Sequence, residues 1–228
     1  MTPYLLASYL LLQPIHCILF IVDCKYLYDN GYTDDGEYTI NPDDTTQFQA
    51  YCSEGWTVFQ RRVDDTVDFR REWDDYVAGF GHLEANYWAG LDKIHAMTGN
   101  DIYDTELQVN MESFENESAT AMYSSFTVGD ASSGYLMSVS GYTGDAGDSF
   151  TYHSNMKFST KDHDQDRRGN GNCAEIYNGG WWYNYCYHTN PNGLYGYGKV
   201  TTSGYIMWNN WKGYRYSLKS IQFKIRRI

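Results

Sequence analysis

The chain is expected to fold as one α+β domain: a central antiparallel sheet with short helices and a loop-rich end. Three observations predict this. From Glu106 to Val139, apolar and polar residues alternate in several runs, as in strands with one buried face. Two upstream stretches have helical spacing instead. Beyond Gly141 the patterning fades into Gly, Asn, Asp and Tyr, so that region needs organisers other than a large apolar core.

Length and composition narrow the function. The 228 residues suffice for a substantial core. Aromatics make up 18%, including 23 tyrosines, which excludes a disordered chain. Tyrosine at that level suits surfaces that are apolar on one face and hydrogen-bonding at the tip. The formal charge of −12 disfavours nucleic acid and anionic membrane as partners. Basic residues do gather late, at Lys212, Arg215, Lys219, Lys224, Arg226 and Arg227, and are read as solvated charge on the last strands. Cys24 and Cys52 flank one early segment, and Cys173 and Cys186 flank an aromatic block. Such local pairs are typical of secreted domains, and no Cys-x-x-Cys supports zinc.

Residues 1–22 are apolar and almost uncharged, but Pro14 and His16 interrupt them. They are expected to be a secretory signal or an incomplete N-terminus rather than a membrane span, with the domain at 23–228. Cys17 falls in this segment. Gly36–Ile40 and Phe48–Cys52 read as short strands, and Gly55–Arg62 as a stronger one, filled with β-branched and aromatic residues. A helix is expected over Arg70–Val77, with Trp73, Tyr76 and Val77 on one face and Gly79-Phe80-Gly81 closing it. A second is expected over Tyr87–Met97, where Trp88, Leu91, Ile94 and His95 share a stripe and His95 is a core histidine. Glu106–Glu112, Ala119–Val128 and Tyr135–Val139 are the antiparallel strands. Asn116-Glu117-Ser118 is a glycosylation sequon on a turn between two of them. Ser217–Ile225 alternates again and is expected to rejoin the sheet.

The chemistry concentrates in Phe158–Cys186. Asp162, Asp164 and Asp166 stand on alternate residues, and carboxylates this dense repel one another unless a cation sits among them. Oxygen-only ligands suit calcium. An EF-hand reading fails, because Arg167 and Cys173 occupy the positions that need Gly and Glu. Trp181, Trp182, Tyr183, Tyr185 and Tyr187 cannot all be buried in one short loop. Some of them must line a surface or pocket, while the two tryptophans are expected in a local core. No nucleophile elbow, zinc-protease helix or phosphate loop is present, so an enzyme is not expected.

Several motifs occur together and in order: Gly55-Trp56-Thr57-Val58-Phe59-Gln60-Arg61-Arg62, Val67-Asp68-Phe69, Trp88-Ala89-Gly90-Leu91, Gly141-Tyr142-Thr143-Gly144-Asp145-Ala146-Gly147-Asp148, Asn172-Cys173-Ala174, Gly180-Trp181-Trp182-Tyr183 and Trp211-Lys212-Gly213. On these the chain resembles the fibrinogen C-terminal (fibrinogen-related) domain family, in its ficolin- and tachylectin-like form. The resemblance implies disulfides Cys24–Cys52 and Cys173–Cys186. It implies a Ca2+ site with carboxylates from Asp164 and Asp166 and carbonyls from Arg168 and Asn170, Asp162 acting as an outer support. The segment between Asp166 and Cys173 is one residue longer than in most members, which can shift the carbonyl positions by one. The lectin-type members bind acetyl groups of N-acetylated sugars. Carried over by position, that pocket comprises Tyr177, a cis bond between Tyr185 and Cys186, Tyr187, Thr202, Ser203 and Tyr214. Tyr187 replaces a usual His, and Thr202-Ser203 a usual Tyr-Ala, departures that bear on acetyl specificity. The chain is thus expected to be a secreted, calcium-binding domain recognising acetylated glycans in innate immunity. The alternative is an extracellular protein partner bound through the same face. Any homo-oligomer would form through the domain surface or Cys17.

Overall fold

The computed structural model describes residues 22–99 and 104–228. The expected signal segment, with Cys17, lies outside them apart from Val22. Eleven strands run in chain order: β1 (Gly36–Ile40), β2 (Phe48–Ser53), β3 (Trp56–Arg62), β4 (Phe80–Gly81), β5 (Tyr87–Trp88), β6 (Thr105–Glu112), β7 (Ser118–Val128), β8 (Met137–Gly144), β9 (Gly198–Lys199), β10 (Tyr216–Ser217) and β11 (Ser220–Arg227). The helices are short: α1 (Cys24–Asp29), α2 (Trp73–Ala78), α3 (Leu91–Thr98), α4 (Cys173–Tyr177) and α5 (Asn209–Lys212).

The main sheet is ordered β1-β2-β3-β11-β6-β7-β8, with β5 paired to β3 and β4 to β5. Its pairings are antiparallel. The period-two reading of β6 holds: Thr105, Leu107, Val109 and Met111 are buried while the residues between them are not. The last strand does rejoin the sheet, and at its centre. Ile221 pairs with Arg62 on one side and Met111 on the other.

Both helices begin later than their spacing predicts. Tyr87 and Trp88 form strand β5, and α3 starts only at Leu91. The break is Gly90, at φ 103, where a Cβ would lie 2.7 Å from the Ala78 carbonyl. Only glycine combines that torsion with so close an approach. Helix α2 starts at Trp73 rather than Arg70. The Arg70 N–H donates instead to the Asp68 carboxylate (2.8 Å), and the Trp73 N–H donates to Asp162 (3.0 Å). Asp162 thus caps a helix from 89 residues away. His95 is half-buried with Nδ1 2.9 Å from the Val128 carbonyl, a satisfied histidine as expected.

The core is aromatic. Phe59 stacks on Phe126 (5.6 Å) and approaches Phe223 (5.8 Å). From the loop-rich side, Trp181 reaches Phe223 (5.5 Å) and Trp182 reaches Phe126 (6.3 Å). Both tryptophans are fully buried, as expected. They nail the start of the aromatic block to the sheet, and such rings supply a large share of core stability. Cys24–Cys52 ties α1 to β2. The late basic residues are mostly neutralised within the molecule: Lys212 by Glu117, Lys219 by Glu112, Arg226 by Glu106 and Arg227 by Asp23. Among the described residues no helix is long and apolar enough to cross a membrane.

Candidate functional site

Helix α4 opens the site. Asn172 caps it, its side-chain oxygen accepting from the N–H groups of Ala174 (2.8 Å) and Glu175 (3.1 Å). The same side chain donates to the Thr160 carbonyl (2.8 Å), so the cap also anchors the preceding acidic loop. Helix α4 ends at Tyr177, and Asn178 leaves it in a left-handed turn. Chain direction is restored at Gly180, whose N–H donates to the buried Tyr76 hydroxyl (2.9 Å).

Disulfide Cys173–Cys186 closes the loop that follows. Asn184 and Cys186 form a tight bridge (3.0 Å), with Cys186 at φ 61. The expected cis bond before Cys186 is absent: no described peptide bond is cis. The chain reverses through the left-handed torsion of Cys186 instead, a less costly departure for a non-proline residue.

The chain on either side of Cys186 converges on His153. Its Nδ1 lies 2.7 Å from the Trp182 carbonyl and so carries the proton. Its Nε2 accepts from the N–H groups of His188 (3.2 Å) and Thr189 (3.3 Å). Complete burial pushes the imidazole pKa down to about 3, and a second proton at Nε2 would face those two N–H groups. Next to it, Tyr152 donates to the Tyr185 carbonyl (3.2 Å) and stacks on His188 (3.9 Å). Tyr183 is buried and donates its hydroxyl toward Gly179 and Asn190.

The result is a cleft of about 510 Å3. All seven positions expected to bind ligand line it: Tyr177, Tyr185, Cys186, Tyr187, Thr202, Ser203 and Tyr214. Tyr177 and Tyr187 meet edge to face (4.7 Å), and Tyr187 meets Tyr214 (6.0 Å). Tyr187 forms the floor, at 6% exposure, and its hydroxyl accepts from the Gly204 N–H (3.1 Å). Burial raises its pKa to about 12. Tyr185 and Tyr214 stand at the rim, 69% and 43% exposed. The lining also includes the hydroxyls of Thr201, Thr202 and Ser203, with Arg215; the Arg215 carbonyl accepts from the Val200 N–H, which brings the two segments together. Arg215 has no ion-pair partner among the described residues. Sequence reasoning gave no cleft role to Thr201 or to Arg215, which it read as solvated charge, nor to Tyr152 or His153. The first two adjoin named cleft residues, whereas His153 carries no local signal.

The acidic loop is stitched to this cleft through backbone groups. Asp166 takes the Arg168 N–H on one oxygen and the Cys173 N–H on the other, each at 2.7 Å. Asp164 accepts from the Asp166 N–H (3.1 Å), and Arg167 donates to the Asn184 carbonyl (3.1 Å). Partial burial raises the Asp166 pKa, with the Asp164 charge adding to it and the two backbone bonds opposing it. Two neighbouring carboxylates in that state fit an oxygen-preferring divalent cation. No cluster of three acidic, His or Cys side chains exists among the described residues, so the remaining ligands would be carbonyls and water. The Asn170 carbonyl accepts from Arg168 Nε (3.0 Å), so that oxygen already has one partner. Asp162 accepts from the Trp73 N–H and the Thr160 hydroxyl, so one of its oxygens is already engaged within the chain. Asn116 sits apart, exposed on the β6–β7 turn.

Comparison with known proteins bears on the family and the fold. The model of the family described as fibrinogen beta and gamma chains, C-terminal globular domain, matches residues 20–228. The chain is 44% identical over 217 residues to fibrinogen C domain-containing protein 1 of Homo sapiens, covering 90% of this chain and 46% of that protein. It is 42% identical to microfibril-associated glycoprotein 4 of Bos taurus, covering 92% and 87%. The first curated relatives are about twice as long, since the match spans 47% of one from Xenopus laevis. Among solved structures, the fibrinogen-like globe domain of human ANGPTL2 superposes with TM-score 0.86 at 37% identity, covering 90% of this chain and 98% of that one. Lamprey fibrin D-dimer, complexed with the peptide ligand Gly-His-Arg-Pro-amide, gives 0.84 at 33%, covering 90% and 72%.

Proposed function

The chain belongs to the fibrinogen C-terminal globular domain family, whose members are binding domains rather than enzymes, and from that premise we propose that it is an extracellular recognition protein for acetylated glycans. The observation that carries this reading is the gathering of Tyr177, Tyr185, Cys186, Tyr187, Thr202, Ser203 and Tyr214 around one cleft beside a disulfide. An acetyl methyl group suits the edge-to-face pair Tyr177–Tyr187, while sugar hydroxyls suit the wall of Thr201, Thr202 and Ser203. Tyr185 and Tyr214 offer rim faces for the ring itself.

Calcium, held by Asp164 and Asp166 with carbonyls from Arg168 and Asn170, would supply a charge that draws the acidic loop together. This chain's own residues then carry the order to the cleft, from Asp166 to the Cys173 N–H and from Arg167 to the Asn184 carbonyl. The role in innate recognition follows from the glycan reading. A second reading is an extracellular protein partner, favoured by the lamprey relative with its bound peptide amide.

The test is competition. N-acetylglucosamine should displace the protein from an acetylated resin, and glucosamine should not. Equal behaviour of the two sugars would favour the protein partner.

A further inference from the structure

The hairpin joining β6 to β7 carries a feature that the cleft does not use. Glu112 pairs with Ser118, leaving a loop over residues 113–117. Within it the Asn116 N–H donates to the Ser113 carbonyl (3.1 Å), and the Ser113 N–H donates to the Glu117 carbonyl (2.9 Å). Asn116 takes the left-handed torsion, φ 60, that completes such a turn. It is also the acceptor of the sequon Asn116-Glu117-Ser118, all three residues exposed.

Two residues earlier stands Phe114, half-buried and unlike its polar neighbours. Its ring meets Tyr197 (5.8 Å) and Tyr195 (6.4 Å), and those two meet each other (5.5 Å). Tyr197 is 69% exposed, which leaves this aromatic cluster open to solvent. The Asn116 side chain faces the same side of the hairpin: its Oδ1 lies 3.5 Å from Lys219 Nζ, and Tyr195 donates to the Lys219 carbonyl (2.7 Å).

We propose that Asn116 carries an N-linked glycan whose first N-acetylglucosamine packs its C–H face on the Phe114–Tyr195–Tyr197 cluster, making the sugar a structural part of this hairpin. The occupant is set by the covalent tether: Asn116 stands two residues from Phe114 in the same five-residue turn, and its side chain reaches Lys219, whose carbonyl Tyr195 also holds. A pyranose presents axial C–H groups to the negative face of an aromatic ring, and its own hydroxyls stay in water. None of Asn116, Phe114, Tyr195 and Tyr197 lines the cleft, so the inference does not depend on the cleft reading.

The test is expression in a secreting eukaryotic host, followed by melting of three glycoforms. Intact protein and protein trimmed to the first N-acetylglucosamine should melt together. The unglycosylated Asn116→Gln variant should melt roughly 2 °C lower, given how strongly this chain length damps small energies. In the Phe114→Ala background, adding Asn116→Gln should cause no further drop, which separates the platform from any general cost of losing Phe114. An unmodified Asn116 overturns the proposal. So does an equal drop in both backgrounds, or a drop already present on trimming to one sugar.

Discussion

The strand-built region up to Gly144 and the loop-built region from Asp145 to Lys219 keep their shape by different means. The first is a ladder of backbone bonds over an alternating apolar face, as in β6 against β7 and β11. The second has only the two-residue strands β9 and β10, two short α-helices and a single 3-10 turn at Thr151–His153. It is held in part by side chains, Tyr76 and His153 buried and Asn172 half-buried, that bond to backbone elsewhere in the chain: Asn172 to Thr160, Tyr76 to Gly180, His153 to Trp182, His188 and Thr189. The lesson is that recognition surfaces can be built from irregular backbone, provided each buried peptide group finds a side-chain partner. Loss of one such side chain should reshape the cleft locally, whereas loss of a sheet residue should weaken the whole fold.

Four variants sharpen that contrast. Phe59→Ala removes a fully buried ring stacked on Phe126 and should cost about 3–5 kcal/mol in denaturant unfolding. Its cleft affinity should survive where the protein is still folded. Breaking the 13-residue disulfide loop with Cys173→Ser and Cys186→Ser should cost about 3 kcal/mol and abolish ligand binding. Binding that persists would show that the cleft does not need the cystine.

His153→Leu strands one carbonyl and two N–H groups and should cost about 1–3 kcal/mol. It also has a pH signature. The unfolded imidazole protonates near 6.5, while the folded one stays neutral down to about 3. The unfolded state therefore binds the extra proton across that window, and wild-type stability should fall as pH drops below about 6.5. The variant should lose part of this slope, with a remainder from His188, whose pKa burial also lowers. The smallest effect concerns calcium. Addition of the ion should raise the wild-type melting temperature, and Asp164→Ala with Asp166→Ala should remove the rise; an unchanged rise would place the ion elsewhere.

Legibility in the sequence follows the same division. Strands β2, β6, β7 and β11 were readable because period-two alternation is local, β3 because β-branched and aromatic residues fill it, and β1 because turn residues bound it. The helix starts were not. Tyr87 and Trp88 match a helical stripe, but the Gly90 torsion and the pairing of Trp88 with Gln60 override it. In the loop region the cleft residues were located by family resemblance, since nothing periodic marks them. The Tyr185–Cys186 bond, expected cis by that resemblance, is trans here, with Cys186 left-handed instead. His153 stayed invisible because its partners lie 29 to 36 residues ahead, and no short motif reports contacts of that range.

The central claim is that the acidic loop and the cleft form one braced unit, separate from the sheet. Amide hydrogen exchange with and without calcium, read peptide by peptide, tests it most directly. The account predicts that calcium slows exchange across residues 164–188, including the Cys173 and Arg167 amides, and leaves β6, β7 and β11 unchanged. Protection confined to residues 164–168, or spread evenly over the sheet, would contradict it.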